Sequence, residues 1–566
     1  PPETTRHTRH EPDAAGASGP RPLTAPPEAG AKAHYVDPVV VERAAEVWCV
    51  RERWSAGADP EAVRDLVAVP LDGRAAADAD AVRVLAAGRD FFTGPRLSPD
   101  GRRVAWIAWD HPRMPWDGSE ACVADVLEDG ATLTLGVPRV VAGGPEEAVA
   151  QVEWAGPDSL YAVTDRSGWW NLYRVAAGTG GAADTNTGAA VALCPRAEEF
   201  AGPLTKIGFS WCAPLDGSRV AVLHHGPDGS GLSVLDTGSG ELKPLAPEFT
   251  EWAALLCADG DRILAVGAGP ARDFAALLVD ARTGRAETLS VHRSDIDEAY
   301  LPVPSQRTFT DVRGQDVHAV LFPPRNPRFA GPAGELPPYV VFAHSGPTDR
   351  FPAAFSLEVA YFTSRGIGVA AVDYAGSAGY GRAYRDRLRH AWGLQDADDC
   401  ATVAAGLVAE GLADGGRLGI RGRSAGGWTA AVSLTRSDLY RCGALYYPIL
   451  DMAVWRAGQR HGEFEAYCCD TLVGPWPAER ARYEERSPAS NTAGLTAPFL
   501  LLQGTDDPIC PPGQAAGFLD GARRRGIPYR HLLFDGERHG FKRGAHVVAA
   551  LEAELELYRQ TFGSRP

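Results

Sequence analysis

Two different spacings of hydrophobic residues divide this chain. Over residues 47–290, short stretches alternate apolar and polar positions between Asp-Gly or other glycine-rich turns, and the unit recurs about every 40 to 50 residues. Alternation with a period of two turns one face of a strand inward and the other outward. The turn Leu97-Ser98-Pro99-Asp100-Gly101-Arg102 leads into Val104-Ala105-Trp106-Ile107-Ala108, and Leu215-Asp216-Gly217-Ser218 leads into Arg219-Val220-Ala221-Val222-Leu223. Further units run over 152–174 and 258–280. About five units are legible, and each predicts a four-stranded sheet that cannot bury both of its faces alone. Radial stacking into a β-propeller is therefore expected, with a β-sandwich as the alternative.

After Leu301-Pro302-Val303-Pro304 the spacing changes. Tyr339-Val340-Val341-Phe342-Ala343-His344 and Gly366-Ile367-Gly368-Val369-Ala370-Ala371-Val372-Asp373 are nearly continuous apolar runs, which suit parallel strands covered on both faces. Amphipathic stretches at 396–412 and 545–562 predict helices around them. This half reads as an α/β domain.

A chain of 566 residues is long enough for two or more domains, each with its own core. Its hydrophobic content of 45% and charged content of 23%, with no run of about 18 apolar residues, argue against a membrane span. The opening residues lack an apolar signal core, so a cytoplasmic location is expected. A net charge of −16 without a basic, aromatic-interleaved patch excludes nucleic acid as an expected partner. The ten cysteines form no Cys-x-x-Cys pair, and His224 and His225 would point to opposite strand faces, so neither a metal nor another cofactor is expected.

The candidate chemistry centres on Gly422-Arg423-Ser424-Ala425-Gly426-Gly427. Chance alone supplies roughly 0.3 Gly-x-Ser-x-Gly matches in a chain of this length and composition. Here the motif follows a strand-like run at 417–421 and opens a helix-forming segment, which makes it a nucleophile elbow with Ser424 exposed at the turn. A serine hydroxyl needs a base and an acid that orients the base. The strand Pro498-Phe499-Leu500-Leu501-Leu502-Gln503 ends in Gly504-Thr505-Asp506-Asp507, offering Asp507 as the acid and Asp506 as its rival. The strand Arg530-His531-Leu532-Leu533-Phe534 leads into a turn carrying His539, the candidate general base. The order Ser, Asp, His is that of α/β-hydrolases, and each member follows its own strand. The oxyanion formed on attack would be met by the N–H of Ala425 and by a second N–H from His344-Ser345-Gly346-Pro347, where Gly346 allows close approach.

These motifs, together with Tyr374-Ala375-Gly376-Ser377-Ala378-Gly379-Tyr380-Gly381-Arg382 and Arg538-His539-Gly540-Phe541, resemble the prolyl oligopeptidase family of serine peptidases, particularly its acylaminoacyl-peptidase and dipeptidyl-aminopeptidase-like branch. The resemblance selects Asp507 over Asp506 and implies a propeller lid admitting slender peptides. It also implies that Trp428, Tyr446, Tyr447 and Phe464 lie near the substrate pocket, although each reads equally well as hydrophobic core. Exopeptidases hold the free amine with a charged group, for which Glu198-Glu199 is available, but a solvated acidic turn is the expected state of that pair. Three departures stand out: Ser345 where the family has Gly, Arg538 beside His539, and a propeller that looks curtailed against the usual seven blades.

The expected organisation is a tail or blade remnant at 1–37, a propeller at 38–298 that need not be complete, and an α/β-hydrolase catalytic domain with a doubly wound, mostly parallel sheet at 299–566. The expected activity is hydrolysis of short peptides by a serine peptidase of exopeptidase or oligopeptidase type. A carboxylesterase and a catalytically silent propeller-hydrolase binding protein are the alternatives, and homo-oligomer formation stays open.

Overall fold

The computed structural model describes residues 8–9, 21–56, 62–130, 132–178, 190–226, 229–290, 296–458 and 464–563. Among them, five antiparallel sheets of four or five strands follow one another in chain order, beginning with Lys32–Val41, Glu46–Trp54, Ala62–Pro70 and Arg83–Ala86. The period of two in the sequence is visible in how this first sheet packs. Trp48, Val50, Leu66 and Ala68 join Val104 and Trp106 of the next sheet in one cluster. Val47, Cys49, Val67 and Val69 face the other way, onto Leu23 and Tyr35. Both faces are therefore buried, as a stacked sheet requires.

The other four sheets cover residues 91–143, 149–192, 212–245 and 251–288. At the hairpin between Phe91–Leu97 and Arg103–Trp109, Asp100 accepts from Ser98 Oγ at 2.6 Å and from Arg102 N at 3.1 Å. Gly101 sits there at φ +70°, a conformation that a side chain would strain.

Residues 32–37 were expected in the tail, yet they form six of the ten residues of the first strand. Ala33 and Tyr35 pack on one face and Val36 on the other, so the alternation was present but lay inside a Pro- and Gly-rich context that masked it. Within the expected tail or blade remnant, Arg21–Pro22 pairs with Thr8–Arg9 in a two-stranded ribbon.

The C-terminal half is an α/β-hydrolase domain on an eight-stranded sheet. In chain order its strands are β1 (Ser305–Thr310), β2 (Asp316–Phe322), β3 (Tyr339–Ala343), β4 (Gly368–Asp373), β5 (Leu418–Arg423), β6 (Cys442–Tyr446), β7 (Phe499–Gly504) and β8 (Tyr529–Phe534). Their spatial order is β1-β2-β4-β3-β5-β6-β7-β8. Strands β3 to β8 are mutually parallel, whereas β2 joins β4 antiparallel and β1 pairs antiparallel with β2. Strands β3, β4, β6 and β7 are buried at every position, which is why their sequences are apolar without alternation. Four helices matter below: α1 (Gly381–Asp386), α2 (Gln395–Ala409), α3 (Ala425–Arg436) and α4 (Gly544–Phe562). Helix α3 packs against α2 on one face of the sheet, and Tyr558 and Phe562 of α4 pack on the other.

Buried charge joins the two halves. Arg382 and Arg385 of α1 reach the Asp165 carboxylate at 2.7 and 2.6 Å, and Arg382 also donates to the Asp117 carbonyl at 2.6 Å. Among the described residues no helix is long and apolar enough to cross a membrane, and no group of three or more His, Cys, Asp or Glu is arranged to hold a metal ion.

Candidate active site

Strand β5 ends at Arg423, helix α3 begins at Ala425, and Ser424 makes the turn between them at φ 53° and ψ −117°. A non-glycine residue pays of order 1–3 kcal/mol for such backbone and persists there only when its surroundings enforce it. The enforcement comes from close packing of glycine. A Cβ on Gly422 would overlap the Gly426 carbonyl, and one on Gly426 would overlap the Ala343 and His344 carbonyls at the end of β3. Ser424 N donates to the Tyr446 carbonyl on the neighbouring strand at 3.0 Å, fixing the other side of the turn.

The structure brings the three sequence-chosen side chains into one hydrogen-bonded line. His539 Nε2 lies 2.9 Å from Ser424 Oγ, and His539 Nδ1 lies 2.8 Å from Asp507 Oδ2. The other Asp507 oxygen accepts the backbone N–H groups of Ile509 at 2.8 Å and Cys510 at 2.9 Å, so the buried carboxylate cannot swing away. Asp506 instead points to solvent, with its neighbour Thr505 as hydrogen-bond partner. The His539 turn is folded by Glu537, a buried carboxylate that accepts Lys542 N at 3.1 Å and Arg543 N at 2.9 Å. A Cβ on Gly504 would overlap the Glu537 carbonyl, so only glycine lets the acid and base turns approach this closely.

Ala425 opens α3, so its N–H has no place in the helical ladder and is free to meet a reacting oxygen. Gly346, the other expected donor, takes the left-handed conformation at φ 60°. Ser345 is not among the positive-φ residues, so serine is accommodated at the position where the resemblance led one to expect glycine. The turn is pinned from behind: Tyr374 Oη donates to the His344 carbonyl at 3.0 Å, the two rings stack at 4.2 Å, and His344 Nε2 lies 2.7 Å from Ser377 Oγ.

A family model described as the prolyl oligopeptidase family matches residues 353–565. The crystal structure of puromycin hydrolase is 50% identical, with a TM-score of 0.92 over 99% of this chain and 83% of that one. The chain belongs to the prolyl oligopeptidase family. A puromycin-hydrolyzing peptidase of Mycobacterium tuberculosis is 44% identical, with a TM-score of 0.90 over 97% of this chain and 82% of that one. The acylamino-acid-releasing enzyme of Arabidopsis thaliana is 26% identical over 220 residues, 37% of this chain and 28% of that enzyme. The matched stretch thus spans less than a third of that curated relative's length.

Two of the residues expected near the substrate pocket of this prolyl oligopeptidase-family chain lie in the core. Trp428 is fully buried in α3 against Trp392, because the helix turns that face toward α2 and not toward the site. Tyr446 ends the interior strand β6 and hydrogen-bonds the buried Glu554 carboxylate at 2.5 Å. Tyr447 lies beside the catalytic candidates, with its ring 4.8 Å from that of His539. Phe464 packs edge-on against Trp116 at 5.8 Å and Phe91 at 6.2 Å, between the two halves of the chain.

Glu199 corrects a second expectation, because it is buried where a solvated turn was foreseen. Its oxygens accept the N–H groups of Trp170 at 2.7 Å and, across the boundary between the halves, of Gly381 at 3.0 Å. Burial raises its carboxyl to about 7, partly opposed by the charge of Arg385. Glu198 is paired with His224 Nδ1 at 2.9 Å. Glu199 lines a cavity of about 260 Å³ between the antiparallel sheets and the hydrolase domain. On the hydrolase side the wall includes Asp349, whose N–H donates to the Gly346 carbonyl at 2.9 Å.

Proposed function

We propose that the chain is a serine peptidase that cleaves short peptides through an acyl-enzyme on Ser424. The observation that carries this reading is the unbroken line from Asp507 through His539 to Ser424, with bonds of 2.8 and 2.9 Å. In the first step His539 Nε2 takes the Ser424 proton as the oxygen attacks the scissile carbonyl. The negative charge that develops on the carbonyl oxygen is met by the N–H of Ala425 and of Gly346. His539 then gives its proton to the departing amine, and Asp507 stabilises the transient imidazolium while holding the ring. Water, deprotonated by the same histidine, releases the acyl group by the reverse sequence.

The five antiparallel sheets, the first of them buried on both faces, are read as a propeller that limits access to slender substrates. The buried Glu199 carboxylate favours a free amino terminus on the substrate, and hence exopeptidase action, because each of its oxygens keeps a lone pair beyond the bond it already accepts. Neighbours named for hydrolysing puromycin fit this better than those named for releasing acylamino acids.

Hydrolysis of aminoacyl and dipeptidyl anilides, compared with matched esters and with Ser424→Ala as control, tests this reading. Amide turnover that vanishes in the control supports it. Ester turnover without amide turnover makes the chain a carboxylesterase instead.

A further inference from the structure

Tyr447 follows directly on β6 at φ 35°, on the left-handed side that a side chain seldom takes. For a residue this bulky such backbone is a genuine outlier. Pro448 comes next and pushes the residue before it toward extended backbone instead. A conformation of this kind persists only where the surroundings impose it, and residues so held gather at working sites. The proposed nucleophile Ser424 is held in the same half of backbone space.

One peptide unit carries the restraint on both. Its carbonyl, that of Tyr446, accepts Ser424 N at 3.0 Å, and its N–H, that of Tyr447, donates to the Leu502 carbonyl at 2.7 Å. Leu502 belongs to β7, the strand that ends at Gly504 and delivers Asp507. The unit therefore ties the nucleophile turn to the strand of the acid. The Tyr447 ring reaches the third member of the line. It meets the His539 ring edge-on at 4.8 Å and 64°, and Phe541 of the same turn at 5.5 Å and 87°. Among the described residues the Tyr447 hydroxyl has no hydrogen-bond partner, so the contact with the base is made by the ring.

We propose that Tyr447 is a positioning residue for the catalytic base, and that its ring fixes the plane of the His539 imidazole while the proton passes from Ser424 Oγ to Nε2 and on to the departing amine. The assignment rests on the peptidase reading above and adds a fourth side chain to it. Asp507 holds the imidazole at Nδ1 alone, which leaves the ring able to pivot about that bond. A second ring packed against it removes this freedom. The left-handed turn sets the direction of the Tyr447 Cβ, so the backbone outlier and the ring contact belong to one arrangement. Misplacing a reacting group by about 1 Å costs on the order of a hundredfold in rate.

The test measures kcat and KM for one aminoacyl anilide in the parent, Tyr447→Phe, Tyr447→Leu and Tyr447→Gly, counted per folded chain. The rate at which a fluorophosphonate labels Ser424 is the second readout, since it depends on the base without requiring a peptide in place. Glycine adopts φ 35° without strain and removes only the ring, whereas leucine keeps an apolar filler. In both ring-less variants kcat and the labelling rate should fall by about thirtyfold or more. KM should stay within about threefold, and Tyr447→Phe should hold every value within about twofold of the parent. A rise in KM with kcat preserved would make Tyr447 a wall of the substrate pocket and overturn the proposal. A Tyr447→Phe variant as slow as Tyr447→Leu overturns it too. If one ring-less variant does not fold, the other decides; if neither folds, the ring is a structural element and the proposal falls. A parent that is labelled yet turns over no anilide overturns the peptidase reading, and the labelling rates then decide on Tyr447. A parent with neither turnover nor labelling overturns both.

Discussion

The backbone N–H of Gly381 donates to Glu199 Oε1 at 3.0 Å, although the two residues belong to different halves of the chain. Gly381 is held at φ 84°, and a Cβ there would crowd the Gly168 carbonyl and the Trp169 ring. The carboxylate is thereby fixed at the seam between the antiparallel sheets and the hydrolase domain.

This placement has a consequence for pH. With its folded value raised to about 7, Glu199 becomes protonated and neutral as pH falls through 7, and its attraction for a substrate ammonium fades. For one free-amine substrate, the ratio of kcat/KM in the parent to that in Glu199→Gln should therefore fall from about tenfold at pH 8 toward one at pH 6. Taking this ratio cancels the titration of the catalytic base and of the substrate's own amine, which parent and variant share. A ratio that does not change with pH would contradict the assignment.

Asp507→Asn should lower kcat by about 10⁴-fold, because an amide cannot hold His539 with Nδ1 as the donor. The thermal midpoint should move by only a few degrees, since the carbonyl oxygen can still accept from Ile509 and Cys510. Anilide kinetics and a melting curve on the same preparation check both parts.

Gly426→Ala tests the close approach of α3 to the end of β3. The added methyl group would meet the carbonyls of Ala343 and His344, which are backbone and cannot swing aside. The expected outcome is a loss of about 1–3 kcal/mol in stability and at least a hundredfold fall in kcat as the Gly346 turn is displaced. Chemical denaturation and anilide kinetics measure the two effects.

His318 should make stability depend on acid. It stacks on Tyr380 at 4.0 Å, and burial lowers its imidazole to about 4. Between pH 6.5 and 4 the unfolded chain binds a proton at this position that the folded chain does not, so stability falls as pH falls through that window. His318→Gln should flatten this part of the profile by an amount of the order of 2 kcal/mol, measured by denaturant unfolding at a series of pH values.

The three residues of the proposed triad were legible because each lies in a short motif just after its own strand. Ser424, Asp507 and His539 needed no knowledge of distant contacts, only the rule that such turns gather at one edge of the sheet. Trp428 and Tyr446 misled because an aromatic residue near a nucleophile looks the same in sequence whether it faces the site or the core. What decides is the packing of α3 on α2 and of Tyr446 on Glu554, which is not local. Glu199 was undervalued for a related reason: its burial depends on Gly381, 182 residues away. The first strand was missed at Lys32 because Ala33, Tyr35 and Val36 gave too short an alternation to outweigh the surrounding proline and glycine.

The central claim is that Ser424 is the nucleophile and that His539 and Asp507 activate it. Mass spectrometry of the folded protein after treatment with a fluorophosphonate tests this most directly, with peptide mapping and the variants Ser424→Ala and His539→Ala alongside. The prediction is one adduct per chain, carried on the peptide containing Ser424, absent in Ser424→Ala and formed at least a hundredfold more slowly in His539→Ala. An adduct on another residue, or equal labelling with and without His539, would contradict the account.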